Sequence, residues 1–187
     1  ERKVAVTYLD HLLVGDAAAE LRERHVVSVA FQQSPDHAVD DVVITASRAD
    51  EMQPSLVLAI AVRREPDLIK SDERTRKLIR DFLRGMVNVP ADGPEHVFAL
   101  VVAGSQDQVK QLGALADLAK NQTNAAAFFH LVRTPNKFTA DTRARLDHLE
   151  ALVREGLADL HVTDRDTTGV QQRTWELLSR LTVLMPR

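Results

Sequence analysis

The chain has 187 residues, with 24 Lys and Arg against 27 Asp and Glu, for a formal net charge of −3. Hydrophobic residues make up 44 % and charged residues 27 %, the profile of a globular chain and not of a disordered one. The absence of cysteine excludes disulfides, cysteine-ligated zinc, iron–sulfur clusters and thiol catalysis.

The length suits one domain spanning 1–187, which can bury roughly 70 % of its unfolded surface. No run approaches the roughly 18 to 20 apolar residues of a membrane span, and Glu1-Arg2-Lys3-Val4 opens no signal-peptide apolar core. A cytoplasmic protein is expected. The missing initiator Met points to a piece of a longer, multidomain chain. Aromatic residues are only 4 %, too few for a base-stacking platform. Nucleic-acid binding would need a local basic patch, because no global field supplies it.

Residues 3–23 read as a helix with Val6, Leu9, Leu12 and Leu13 on one face. Three strand candidates follow at His25–Gln32, Val39–Ala46 and Ser55–Arg64, spaced for an antiparallel meander. Ser71 is the expected N-cap of a helix over Asp72–Val87, with Asp72 and Glu73 in its first turn. Leu78, Ile79, Phe82, Leu83 and Met86 form its buried stripe. His96–Ala103 is a continuous apolar run that suits a strand buried on both faces. Helices are expected at Gln106–Asn121, Thr123–Arg133 and Asp141–Glu155. A short strand is expected at Ala158–Thr163 and a final helix at Thr168–Leu184. A meander followed by β–α units predicts an α/β class: one mixed sheet of about four to five strands flanked by helices.

Several chemistries find no support. The seven histidines offer no pair three or four residues apart, so no helix presents a ready metal site. Neither GxGxxG, GxxxxGK[ST] nor GxSxG occurs. Gly104-Ser105-Gln106 follows a buried strand and reads as an ordinary turn into a helix.

Two acidic residues, Asp40 and Asp41, stand at the head of an apolar strand. Alternation puts Asp41, Val43 and Thr45 on one face, and Ala59, Ala61 and Arg63 on one face of the next strand. A carboxylate on one strand beside a cation at the end of its neighbour suits metal-assisted phosphodiester cleavage. There carboxylates hold Mg²⁺ and the cation steadies the attacking water or the scissile phosphate. The plainer reading is a solvated strand start at Asp40-Asp41, with Arg63-Arg64 pairing Glu65 or Asp67.

Between Arg63 and Arg84 eight Lys and Arg face five Asp and Glu, a local +3 inside a chain of −3. Arg64, Lys70, Arg74 and Lys77 are the candidate phosphate ligands of this segment. Arg74, Lys77 and Arg84 fall on one flank of the helix, Arg76 and Arg80 on another. The same pattern also fits the polar face of an amphipathic helix.

In order along the chain stand Thr7-Tyr8-Leu9-Asp10, Val39-Asp40-Asp41-Val42-Val43-Ile44, Ala61-Val62-Arg63-Arg64 and Ser71-Asp72-Glu73. On these residues the chain resembles the PD-(D/E)xK nuclease superfamily over residues 3–103. Within it, the likeness is to the double-stranded-DNA nuclease domains at the N-termini of bacterial anti-phage defence proteins. The resemblance implies a restriction-endonuclease-like fold, Asp41 and Arg63 as catalytic residues, and Mg²⁺ held by Asp41 and Asp40. It also implies double-stranded DNA, other domains of the same chain and a second copy as partners. The departures imply loss of activity. Ala61 stands where the family carries Gln or Glu, and Arg63 where it carries Lys. A guanidinium stays protonated and cannot act as a base. Leu9 follows Tyr8 in place of Gln. The expectation is a degenerate nuclease-like domain that binds DNA or a partner or regulates. The alternatives are an active nuclease with a migrated carboxylate from Asp10, Asp16, Glu20 or Glu65, and an unrelated α/β interaction module.

Overall fold

The computed structural model describes residues 6, 10, 21, 23–31, 41–51, 53–64, 66, 71–87, 89, 92–102 and 107–184. Its five-stranded sheet runs β1 (His25–Phe31), β2 (Val42–Ser47), β3 (Leu56–Arg63), β4 (Glu95–Val102) and β5 (Leu181–Leu184), in that spatial order. The first three strands form the expected antiparallel meander. β4 lies parallel to β3, and β5 parallel to β4. The sheet is therefore mixed. Parallel neighbours require crossovers. Helix α1 (Glu73–Val87) supplies the first, and α2 (Asp107–Lys120), α3 (Ala125–Arg133), α4 (Ala140–Asp159) and α5 (Thr167–Arg180) the second. Of the helix predicted over 3–23, the described residues are Val6 and Asp10, which are α-helical, Leu21 in a 3₁₀ turn and Glu23 in a turn. Tyr8, Asp16 and Glu20 lie outside the described residues, as does the turn Gly104-Ser105-Gln106.

Strand alternation divides the core. Ala59, Ala61, Phe98, Leu100 and Val102 face the helices and join their buried stripes in the larger cluster. Val42, Ile44, Ala46, Leu58, Ile60, Val97, Ala99 and Val101 face the other way, where Leu21 packs on them. Burial on both faces explains why β3 and β4 read as unbroken apolar runs. The buried stripe of α1 is the expected one, with Thr75 and Asp81 added.

Three differences from expectation have a plain physical reason, beyond shifts at other element ends such as β2, which begins at Val42 and leaves Asp41 just before the strand. The first is the cap of α1, which is Asp72 and not Ser71. Asp72 Oδ2 accepts from the Thr75 amide at 2.9 Å and from the Thr75 hydroxyl at 2.7 Å. Both residue types cap well, and the helix starts one residue later than the pattern suggests. The second is the strand expected at Ala158–Thr163, which does not form. Instead α4 runs on to Asp159 and stops in a Schellman motif. The Val162 amide donates to the Leu157 carbonyl at 3.0 Å and the His161 amide to that of Ala158 at 3.1 Å, with His161 at φ 56°. The third is the last helix, which ends at Arg180. Leu181-Thr182-Val183-Leu184 turns directly into β5. The period-2 pair Leu181 and Val183 sits opposite Phe98 and Leu100, so sheet pairing overrides helical continuation.

At the junction of α3, α4 and α5 the Glu150 carboxylate is partly buried and accepts a hydrogen bond from Arg133 Nη2. Arg133 also lies 5.1 Å from the Phe129 ring centroid. Burial pushes the Glu150 carboxyl above its ordinary value, outweighing the pull of Arg133 and the Gln171 hydrogen bond. The folded state therefore binds this proton more tightly than the unfolded chain. Stability from this group is fully present below the ordinary carboxylate range and is lost as pH rises through the folded value. Glu150→Gln is expected to melt no lower than the parent at neutral pH. Any advantage should vanish in acid below pH about 4.5, the ordinary Glu value. Thermal melts across pH check this; a lower melting temperature for the variant at pH 7 contradicts it.

Candidate functional site

The register Val42↔Ile60 and Val43↔Ala59 continues, one step beyond β2, to place Asp41 opposite Ala61. Arg63 then lies diagonally across the pair on the same face, within reach of a long side chain. Asp41 Oδ2 accepts from Arg63 Nη1 at 2.6 Å and from the Val62 amide at 2.7 Å. Arg63 Nη1 also donates to the Val62 carbonyl at 2.8 Å. The carboxylate thus caps the end of the β2–β3 ladder and holds the guanidinium against the β3 backbone. The two side chains are 22 % and 34 % exposed, so the pair is neither deeply buried nor freely solvated. Ala61 is fully buried under the helices and presents no ligand.

Beside this pair, between the end of β3 and the start of α1, lies a cavity of about 600 Å³. It is lined by Arg63, Arg64, Pro66, Asp72, Arg74, Thr75 and Leu78. Three arginines thus face one aspartate. Arg64 and Arg74 are exposed and form no ion pair among the described residues. Asp72 spends its charge on the helix start. The Thr75 hydroxyl holds its carboxyl below the ordinary value against the opposing effect of burial, helped by the Thr75 and Arg74 amides and the Arg74 charge.

Lys77, expected beside Arg74 on one flank of α1, does not line this cavity and stands with Arg76 and Arg80. Its Nζ donates to Asp81 Oδ2 at 2.6 Å, and Arg84 approaches Asp81 Oδ1 at 3.5 Å. Asp81 is 5 % exposed, so these cations neutralise a buried carboxylate. Asp40, Lys70 and Glu65 lie outside the described residues.

The side chains described do not suit Mg²⁺. The Asp41 oxygen that faces β3 already carries a guanidinium and an amide. No group of three or more His, Asp or Glu able to hold a metal ion occurs among the described residues. Magnesium needs near-octahedral oxygen ligation, and an arginine at 2.6 Å puts a positive charge where a second cation would be repelled.

Sequence patterning did not single out Pro66, Thr75 and Leu78 as cavity walls or Asp72 as the cap. Ser71-Asp72-Glu73 was the available signal, since every residue of it is a cap or first-turn type. No described helix is long and apolar enough to cross a membrane. Comparison with protein-family models, with curated proteins and with solved structures gives no match.

Proposed function

We propose that the chain is a degenerate PD-(D/E)xK-like domain that holds duplex DNA by its phosphate backbone and does not cut it. The observation that carries the reading is the Asp41–Arg63 pair at the mouth of the arginine-lined cavity. An acidic strand end, a basic strand end and the start of a basic helix come together there in the order the resemblance implies. Arg64 and Arg74 offer planar donor forks to phosphate oxygens, the geometry in which arginine excels. Arg63 stands where the family carries Lys and stays protonated, so it cannot remove a proton from water.

The test has two arms. In gel-shift or anisotropy titrations the protein is expected to bind duplex DNA in EDTA, and no more tightly in Mg²⁺ at matched ionic strength. Supercoiled plasmid incubated with Mg²⁺ or Mn²⁺ is expected to stay intact. Nicking that is lost in Asp41→Ala would overturn the proposal, as would the absence of any salt-sensitive duplex binding.

A further inference from the structure

A second depression opens on the far flank of α1. It has a volume of about 550 Å³ and lies between α1 and α4, where Arg74, Arg76, Lys77 and Arg80, with Glu73 beside them, face Glu155 and Asp159 across Gly156 and Ala158. Arg74 lines both this groove and the arginine cavity, so the two share a wall. Gly156 keeps the groove shallow-walled because the helices approach closely there: a Cβ at this position would lie 2.7 Å from Leu83 Cδ1.

The cations of the groove are unequally engaged. Lys77 is held by Asp81. Arg76 is exposed and makes no ion pair among the described residues. Arg80 Nη1 donates to Asp159 Oδ2 at 3.2 Å, while Arg80 Nε is buried without a hydrogen-bond partner among the described residues. Both members of the Arg80–Asp159 pair are well exposed, at 36 % and 56 %. Such a pair contributes little and gives way readily to a better acceptor. A phosphate at this place accepts from the exposed Arg76 and from the end of the Arg80 guanidinium that otherwise holds Asp159.

We infer that the α1–α4 groove is a second phosphate subsite, joined to the arginine cavity through Arg74. One strand of a DNA duplex then passes from Arg64 over Arg74 to Arg76 and Arg80. This rests on the DNA-binding reading of the first cavity. From Arg74 to Arg80 the helix advances about 9 Å at 1.5 Å per residue. Along its own axis a B-form duplex advances about 3.4 Å per nucleotide of one strand, so with α1 parallel to that axis the span matches two to three nucleotides. Among the described residues no aromatic ring lines either depression. The surface therefore suits a continuous phosphate backbone and not unstacked bases.

The experiment measures anisotropy of a fluorescently labelled blunt DNA duplex, two helical turns long, in EDTA over a range of salt. The combined variant Arg76→Gln, Arg80→Gln is expected to bind roughly tenfold or more weakly. Its plot of log affinity against log salt should be shallower by about 2. Asp159→Ala breaks the same helix–helix ion pair yet keeps the cation, and is expected to bind as well as the parent or more tightly. Circular dichroism melts confirm that each variant folds. Unchanged affinity and slope in the Arg76, Arg80 variant, with binding lost on charge reversal of Arg64 and Arg74, overturns the second subsite and leaves the first reading standing. If neither pair alters binding, both fall. Equal loss in Asp159→Ala, or tighter binding of a single strand than of the duplex, also overturns the inference.

Discussion

Charge reversal at two positions, Arg64→Glu with Arg74→Glu, is expected to weaken duplex binding on the order of 10²-fold or more. On the proposed reading two charge-assisted hydrogen bonds to phosphate are removed, each contributing roughly 1.5–3 kcal/mol, and two repulsive carboxylates replace them. Both side chains are exposed and unpaired among the described residues, so the fold should tolerate the change within about 0.5 kcal/mol per site. That separation makes the prediction sharp: affinity collapses while the melting temperature barely moves. Titration of the duplex at low salt together with a thermal melt checks both halves. Retained affinity in a folded variant would remove the arginine cavity from any account of DNA binding.

The largest effect on stability is expected from Phe98→Ala. Phe98 is 1 % exposed on the interior strand β4, opposite Ala59 of β3 and Leu181 of β5. Its ring lies 5.0 Å from that of Phe82 at an interplanar angle of 47°. On the α1 side the fit is tight, since a Cβ added at Gly85 would meet the ring at 3.1 Å. Truncation leaves a cavity that a rigid sheet and an anchored helix refill poorly, and costs about 3–5 kcal/mol. Against a usual total of about 5–15 kcal/mol that is a large share. Urea titration reads it as a lower midpoint at unchanged slope, and a loss below about 1 kcal/mol would contradict the packing described. Gly85→Ala, crowded in the parent, should be better tolerated in this background.

What sequence patterning revealed depended on the range of the interaction. The stripe Leu78, Ile79, Phe82, Leu83 and Met86 was legible because helical period is local and burial follows it. The shared face of Asp41 and Arg63 was half legible. Alternation sets the face within each strand, but only the cross-strand register puts Arg63 against Asp41. From sequence, Glu65 and Asp67 were equally good partners for that arginine. The strand Leu181–Leu184 was hidden because four apolar or β-branched residues directly after a helix extend its pattern until a neighbouring strand competes for their backbone. Ala158–Thr163 failed in the opposite sense. Its alternating pattern is real, but Leu157 and Val162 are brought together by the helix stop and not by a strand. Arg76 and Arg80 could be assigned to one flank of α1, whereas the α4 wall facing them is a tertiary feature with no local sign.

The pairing of β4 with β5 also orders events in time. Phe98 and Leu181 are neighbours in the sheet but lie about eighty residues apart in sequence, with four helices between them. The meander β1–β3 and the crossover through α1 close far shorter loops, so their entropic cost is met earlier. The edge of β4 that β5 later occupies stays open while α2, α3, α4 and α5 assemble. An unsatisfied strand edge in a nascent chain invites pairing with other extended segments. The turn-free junction at Arg180–Leu181 shortens that vulnerable interval, because docking of α5 delivers β5 to its place in the same step.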